Sequence, residues 1–171
     1  PSYPTADRFH DGFGPADYVH ALVARNHEPP DDPLAVYVHI PFCGTRCSYC
    51  AFNTYTGRRD EYEPYVAALR REIAWVGAQA PTPAHTLYFG GGTPSLLAPA
   101  QIASVIGAVT AHLDLAPDAE VTLEANPGSV DAAYLAMIRE AGVNRLSLGM
   151  QSSDAAELKR FARRHNLEDV R

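Results

Sequence analysis

Residues 37–50 of this 171-residue chain read Tyr-Val-His-Ile-Pro-Phe-Cys-Gly-Thr-Arg-Cys-Ser-Tyr-Cys. The first part predicts a short apolar strand, and the second part is a loop that contains all three cysteines of the sequence, Cys43, Cys47 and Cys50. Thiolates this close together can converge on one inorganic centre. Iron–sulfur clusters usually take four cysteine thiolates, so three would leave one iron open to another molecule. The spacing alone also allows a zinc site completed by His39 or His165.

Composition and charge narrow the class of protein. The formal net charge is −6, and no basic patch indicates nucleic-acid binding. No early apolar run resembles a signal peptide, and no stretch is long enough to span a membrane. An odd number of cysteines without a secretory signal favours reduced thiols. We therefore expect a cytoplasmic chain that binds neither nucleic acid nor membrane.

The chain after residue 33 alternates between strand and helix patterns. Strands are expected at residues 34–40, 86–89, 121–124 and 145–149. Helices are expected from a cap at Asp60 to about 77, at 98–113, at 130–141 before Gly142, and from a cap at Asp154 to about 164. Four such units predict an α/β fold with a parallel sheet.

Four strand–helix units do not close a barrel. The last strand would present an unpaired apolar edge, so we expect further strands and a C-terminal domain outside this sequence. Residues 1–33, with a short helix at 16–26 and a proline-rich run at 28–33, are expected to form an N-terminal arm. Residues 34–171 would then be the N-terminal part of a (β/α) barrel.

Polar and glycine-rich segments follow all four predicted strands. In parallel α/β folds, ligands bind beyond the carboxyl ends of the strands. Glycines at a strand end also let the backbone approach a ligand closely. The segments are the cysteine loop, Gly90-Gly91-Gly92-Thr93-Pro94-Ser95, Glu124-Ala125-Asn126-Pro127 and Gly149-Met150-Gln151. We therefore expect one site at this edge of the sheet.

These motifs, in this order, resemble the radical S-adenosylmethionine (SAM) superfamily. More narrowly, they resemble the group that contains oxygen-independent coproporphyrinogen III oxidase, the related haem chaperone, and class C methyltransferases and cyclopropanases. The resemblance implies a [4Fe–4S] cluster on Cys43, Cys47 and Cys50, with SAM on the fourth iron. Reductive cleavage of SAM would then yield a 5′-deoxyadenosyl radical. It also implies a small-molecule substrate and a reductant such as flavodoxin or ferredoxin.

The same resemblance assigns cofactor contacts beyond the cysteines. The residues matched to the cluster-bound SAM are Tyr37, Gly91 and Glu124. Some members bind a second SAM, and the residues matched to it are Tyr49, Gly92, Thr93, Gln151 and Arg163. Arg164 is adjacent to Arg163, so the arginine match can slip by one position.

Two features bear on the branch within the group. Phe52 stands where the oxidases carry another cysteine. The absence of a cysteine at this position resembles the chaperone and methyltransferase branches instead. The segment Ser2-Tyr3-Pro4-Thr5-Ala6, with Phe9 and Phe13, instead resembles the N-terminal arm of the oxidase. The mixture favours a methyltransferase or cyclopropanase that uses two SAM molecules. The alternatives are an oxidase that decarboxylates porphyrinogen propionates and a haem chaperone without turnover.

Overall fold

The computed structural model describes residues 12–25, 34–80 and 82–170. Within the predicted arm it contains one helix, α1 (Pro15–Arg25), close to the expected 16–26. The segment 2–6, Phe9 and the proline-rich run at 28–33 lie outside the described residues.

Four of the strands in the described residues form one parallel sheet, the main sheet. All strands, in chain order, are β1 (Leu34–Ile40), β2 (Phe42–Cys43), β3 (Tyr55–Thr56), β4 (Ala84–Gly91), β5 (Glu120–Ala125) and β6 (Arg145–Leu148). The main sheet has the order β1-β4-β5-β6, so neighbours in the chain are neighbours in the sheet. This confirms the predicted α/β fold with a partial barrel.

A small parallel pair accompanies the sheet and was not expected. Strands β2 and β3 pair Phe42 with Tyr55 and Cys43 with Thr56. The sequence indicated a polar turn at residues 53–59. The pairing forms because the cysteine loop returns beside its own entry point, and Tyr55 N donates to Pro41 O at 2.7 Å.

The core lies between the sheet and helices α2 (Tyr62–Gln79), α3 (Pro99–Leu113) and α4 (Ala132–Glu140). Phe89 and Leu123 from the strands and Val105 and Val109 from α3 are completely buried there. Strand side chains alternate between the two faces. The other face therefore carries the row Tyr37, Tyr88, Thr122 and Arg145 across β1, β4, β5 and β6. In a closed barrel this row would point inward.

The observed ends of the helices can be compared with the capping residues predicted from the sequence. Asp131 and Asp154 accept hydrogen bonds from Tyr134 N at 2.7 Å and Glu157 N at 2.9 Å. The prediction for Asp154 is confirmed, and α4 ends just before Gly142, whose φ of +111° permits the turn. The Asp60 cap is wrong, because Asp60 lies within a 3₁₀ turn (Arg59–Glu61), and α2 begins at Tyr62 without a side-chain cap.

The last helix is shorter than expected. Helix α5 (Ala155–Arg160) ends at Arg160 rather than near 164, because Ala162 adopts a left-handed conformation with φ of +57°. Residues 161–165 are therefore free to turn back toward the cysteine loop. Among the described residues, no helix combines the length and apolar character that a membrane span requires.

Candidate functional site

A cavity of about 370 Å³ opens at the carboxyl ends of the main-sheet strands. Residues from every strand–helix connection of the main sheet line it, so the structure brings the polar and glycine-rich segments together at this edge. That they bind a ligand there remains a prediction. Of the predicted site residues, the lining includes Cys43, Cys47, Tyr49, Cys50, Gly91, Gly92, Thr93, Glu124, Gln151 and Arg163.

The cysteine loop is held against the end of α5. Ser48 N donates to Phe161 O at 3.4 Å, and Ser48 Oγ donates to Arg160 O at 2.9 Å. Tyr49 packs edge to face on Phe161, with ring centroids 5.3 Å apart. The loop is thus positioned by contacts with residues more than a hundred positions away. All three cysteines are free and partly buried.

Two threonine hydroxyls affect the first cysteine, and one of them, that of Thr93, donates a hydrogen bond to it. Burial raises the pKa of the Cys43 thiol, while the hydroxyls of Thr93 and Thr54 lower it and the neighbouring Cys50 and Cys47 raise it. Thr93 Oγ1 donates to Cys43 Sγ at 3.7 Å. Because metal binding requires the thiolate, loading a metal here releases a proton.

The zinc alternative is not supported by the arrangement. Within residues 12–25, 34–80 and 82–170, no three His, Cys, Asp or Glu side chains are placed to hold one metal ion. His39 Nε2 donates to Asn53 O at 3.4 Å while its Nδ1 accepts from Tyr37 OH at 3.2 Å. His165 Nε2 donates to Met150 O at 2.9 Å.

The cavity fits a multi-iron cluster with an added ligand. In such a cluster each thiolate binds a different iron, so the sulfurs need not meet at one point. Three lining residues also carry a buried polar atom without a hydrogen-bond partner among the described residues: Thr45 Oγ1, Thr54 Oγ1 and Arg163 Nε. Buried polar atoms are nearly always paired, so these atoms indicate room for a polar ligand.

The glycine segment runs directly against the cysteine loop. Gly92 N donates to Ile40 O at 2.8 Å, and Thr93 N donates to Phe42 O at 2.7 Å. A Cβ at Gly92 would lie 2.5 Å from Phe42 O and 3.0 Å from Cys43 Sγ. The sequence predicted that these glycines leave space for a ligand, and the structure shows that the loop itself uses part of that space.

The Glu124 carboxylate is oriented by two donors at the mouth of the sheet. Tyr88 OH donates to one carboxylate oxygen at 2.7 Å, and Gly91 N donates to the other at 3.2 Å. Burial and the bond to Glu124 raise the pKa of Tyr88, so its phenol remains a donor. Sequence reasoning missed Tyr88, because its meeting with Glu124 depends on the register of β4 and β5.

Tyr37 is the one predicted site residue that does not line the cavity. Its ring stacks on Tyr88 with centroids 6.0 Å apart, and 56% of the residue is exposed. Burial and the charge of Glu124 raise the pKa of Tyr37. Its predicted contact near the cluster-bound SAM remains a prediction.

The segments after β6 include Gln151 and Arg163. Arg163 Nη1 donates to Cys47 Sγ at 3.4 Å, and Nη2 donates to Asn126 Oδ1 at 2.6 Å and to Gly149 O. Gln151 is exposed and has a φ of +69°. Arg164 is exposed and absent from the cavity lining, so Arg163 is the arginine at this site.

A change at Tyr88 tests how Glu124 is held. Tyr88→Phe removes one donor to the carboxylate, and hydrogen bonds to charged groups contribute roughly 1.5–3 kcal/mol. If Glu124 binds SAM, we expect the Kd for SAM to rise by about tenfold or more, measured by isothermal titration calorimetry. Tyr134→Phe is the matched control, because its hydroxyl donates to Leu97 O away from the cavity. Equal SAM affinity in the two variants would contradict the role of Tyr88.

Comparison with known proteins places this geometry in a family. The model of the Radical SAM superfamily matches residues 37–171. An oxygen-independent coproporphyrinogen III oxidase from Pseudomonas aeruginosa is 40% identical over 99% of this chain and 38% of its own length. A "Heme chaperone HemW" from Mycobacterium tuberculosis is 46% identical over 80% of this chain and 36% of its own length.

A solved structure supports the same family. The coproporphyrinogen III oxidase from Escherichia coli, described as a radical SAM enzyme, superposes with a TM-score of 0.86 and 33% identity over 99% of this chain and 38% of that chain. The chain thus spans less than two fifths of the length of these relatives. The family implies a [4Fe–4S] cluster and SAM, which the three thiols and the cavity fit. This chain belongs to the radical SAM superfamily.

Proposed function

We propose that this chain provides the cluster-binding and SAM-binding site of an enzyme that cleaves SAM reductively. The supporting observation is that Cys43, Cys47 and Cys50 open onto the same cavity as the carboxylate of Glu124 and the backbone of Gly91. Held by these thiolates, a reduced [4Fe–4S] cluster would supply one electron to the sulfonium of SAM, and cleavage of the bond between sulfur and C5′ would give methionine and the 5′-deoxyadenosyl radical.

The residues of the chain have distinct roles in this proposal. The three thiolates hold the cluster. Glu124 accepts hydrogen bonds from the ammonium or hydroxyl groups of SAM, and its orientation comes from Tyr88 and Gly91. Tyr37 acts from outside the cavity through its stack on Tyr88. The candidates for a second SAM are Tyr49, Gly92, Thr93, Gln151 and Arg163.

The finer proposal is methyl transfer or cyclopropanation with two SAM molecules and an sp2 carbon of the substrate as acceptor. Its support is a combination of features: Phe52, which lines the cavity and is 65% exposed, stands where the resemblance gives the oxidases a cysteine, whereas residues 2–6 resemble the oxidase arm that the chaperone normally lacks. A phenyl ring cannot bind iron. It offers instead an apolar surface beside the site.

A second candidate is favoured by the names of the relatives. The Pseudomonas protein and the Escherichia coli structure are coproporphyrinogen oxidases, and the Mycobacterium protein is a haem chaperone. Oxidative decarboxylation of a porphyrinogen, or haem binding without turnover, is therefore the alternative. For either activity we propose a cytoplasmic enzyme with a flavodoxin or ferredoxin as reductant, no nucleic-acid or membrane partner, and the remaining strands and C-terminal domain in the same enzyme.

An anaerobic assay of the reconstituted holoenzyme separates these functions. With SAM and dithionite we expect 5′-deoxyadenosine, and without dithionite we expect none. S-adenosylhomocysteine or methylthioadenosine as an additional product supports the methylating branch. Carbon dioxide released from coproporphyrinogen III supports the oxidase. Tight haem binding without any SAM cleavage would overturn the proposed enzyme activity.

A further inference from the structure

One side chain joins the cysteine loop to three other segments of the site. The guanidinium of Arg163 donates from Nη1 to Cys47 Sγ at 3.4 Å. Its Nη2 donates to Asn126 Oδ1, after β5, and to Gly149 O, after β6. Arg163 itself follows α5, whose end also holds Ser48 of the loop.

The guanidinium has little freedom to leave this position. A Cβ at Gly149 would lie 3.3 Å from both Arg163 Nη2 and Asn126 Oδ1, so a glycine at 149 gives the arginine its space. The Nε atom is buried and has no partner among the described residues. Two acceptors therefore hold Nη2 while Nη1 points at the sulfur, and the donor is preorganised before any cluster binds.

A fixed cation beside a cluster ligand has an electrostatic consequence. Reduction adds one negative charge to an iron–sulfur cluster and its thiolates. Net charge and hydrogen bonds to the sulfurs are among the factors that set the reduction potential of such clusters. A positive, donating group at Cys47 Sγ favours the reduced form, because it attracts the added charge in a partly buried site.

We propose that Arg163 is a positioning residue that raises the reduction potential of the cluster through Cys47 Sγ. This inference rests on the proposed function, since it requires Cys47 to be a cluster ligand. It differs from the cofactor contact that the family resemblance assigns to Arg163, because the effect is present without SAM. Arg163 thereby makes the cluster easier to reduce by a cellular electron donor.

The test is a redox titration of the reconstituted holoenzyme without SAM, followed by electron paramagnetic resonance of the reduced cluster. We expect Arg163→Gln to lower the ratio of reduced to oxidised cluster at a fixed potential by about tenfold, which is about 59 mV for one electron. Arg163→Lys keeps the charge but cannot make the Asn126 and Cys47 contacts together, so a smaller shift in the same direction is expected. Arg164→Gln, at the exposed neighbouring position, should leave the potential unchanged.

Different results of this titration would overturn the role of Arg163 and the proposed function. A wild-type potential in Arg163→Gln with full iron content would overturn the role of Arg163, even if SAM binding were weakened. If Arg163→Gln does not load iron, Arg163→Lys carries the test in the same way: a lower potential supports the role, and an unchanged one overturns it. Failure of the unmodified enzyme to bind a cluster would instead overturn the proposed function.

Discussion

Cys47→Ala is expected to abolish both the iron–sulfur absorption and the cleavage of SAM. All three cysteines of this chain are already in the proposed ligand set, so the chain itself offers no fourth thiol to replace the lost ligand. His39 and His165 are engaged with other partners and do not complete the site. With two thiolates, two irons would lack a protein ligand, and a cluster held so weakly is expected to be lost.

The measurements are iron content, visible absorption and 5′-deoxyadenosine formation, with far-ultraviolet circular dichroism to verify the fold. Ser48→Ala is a matched control, because it changes the same loop and removes one hydrogen bond, to Arg160 O, but leaves every thiol in place. It is expected to load iron. Iron content and product yield at the unmodified level in Cys47→Ala would refute the cluster assignment.

Gly92→Ala is expected to destabilise the fold and to impair cluster loading together. The added Cβ would lie 2.5 Å from Phe42 O, 2.9 Å from Phe42 C and 3.0 Å from Cys43 Sγ. Two of these neighbours are backbone atoms, which cannot move aside without shifting β2. Overpacking of this kind costs roughly 1–3 kcal/mol. Because Cys43 directly follows Phe42, a shift of β2 displaces a cluster ligand.

Thermal unfolding and iron content measure the two effects. A loss of about 1 kcal/mol lowers the Tm by roughly 2–4 °C in a chain of this size, so we expect a fall of several degrees. Gly107→Ala is the control, and it is expected to raise the Tm rather than lower it. Gly107 lies in α3, and a Cβ there meets nothing within 4 Å. Alanine in a helix interior is favoured over glycine by roughly 0.5–1 kcal/mol. Equal Tm values and equal iron content in the two variants would contradict the crowding at Gly92.

The fold class was predictable because its signals are local. The β1 prediction matches the observed Leu34–Ile40, and the α3 prediction differs by one residue. Apolar periodicity and the glycine after α4 depend on neighbouring residues alone. The errors also have local causes. Asp60 was a plausible cap by residue type, but the chain turns through a 3₁₀ segment first, and Ala162 ends α5 with an unusual backbone conformation.

The location of the site was predictable for a different reason. Parallel strands bring all their carboxyl ends to one edge, so Cys43, Gly91, Glu124 and Gln151 had to gather there once the strands were assigned. The spacing of the cysteines left an iron–sulfur cluster and a zinc site both open. The cluster was implied by the order of all the motifs, through the resemblance to the family that the comparisons support.

The contacts within the site could not be read from residue order. Tyr88 reaches Glu124 because of the register between β4 and β5, and Arg163 reaches Cys47 across more than a hundred residues because α5 stops early. The stack of Tyr37 on Tyr88 likewise depends on the pairing of β1 with β4. Side-chain type reports what an atom can bind, whereas its actual partner depends on packing between segments that are distant in the chain.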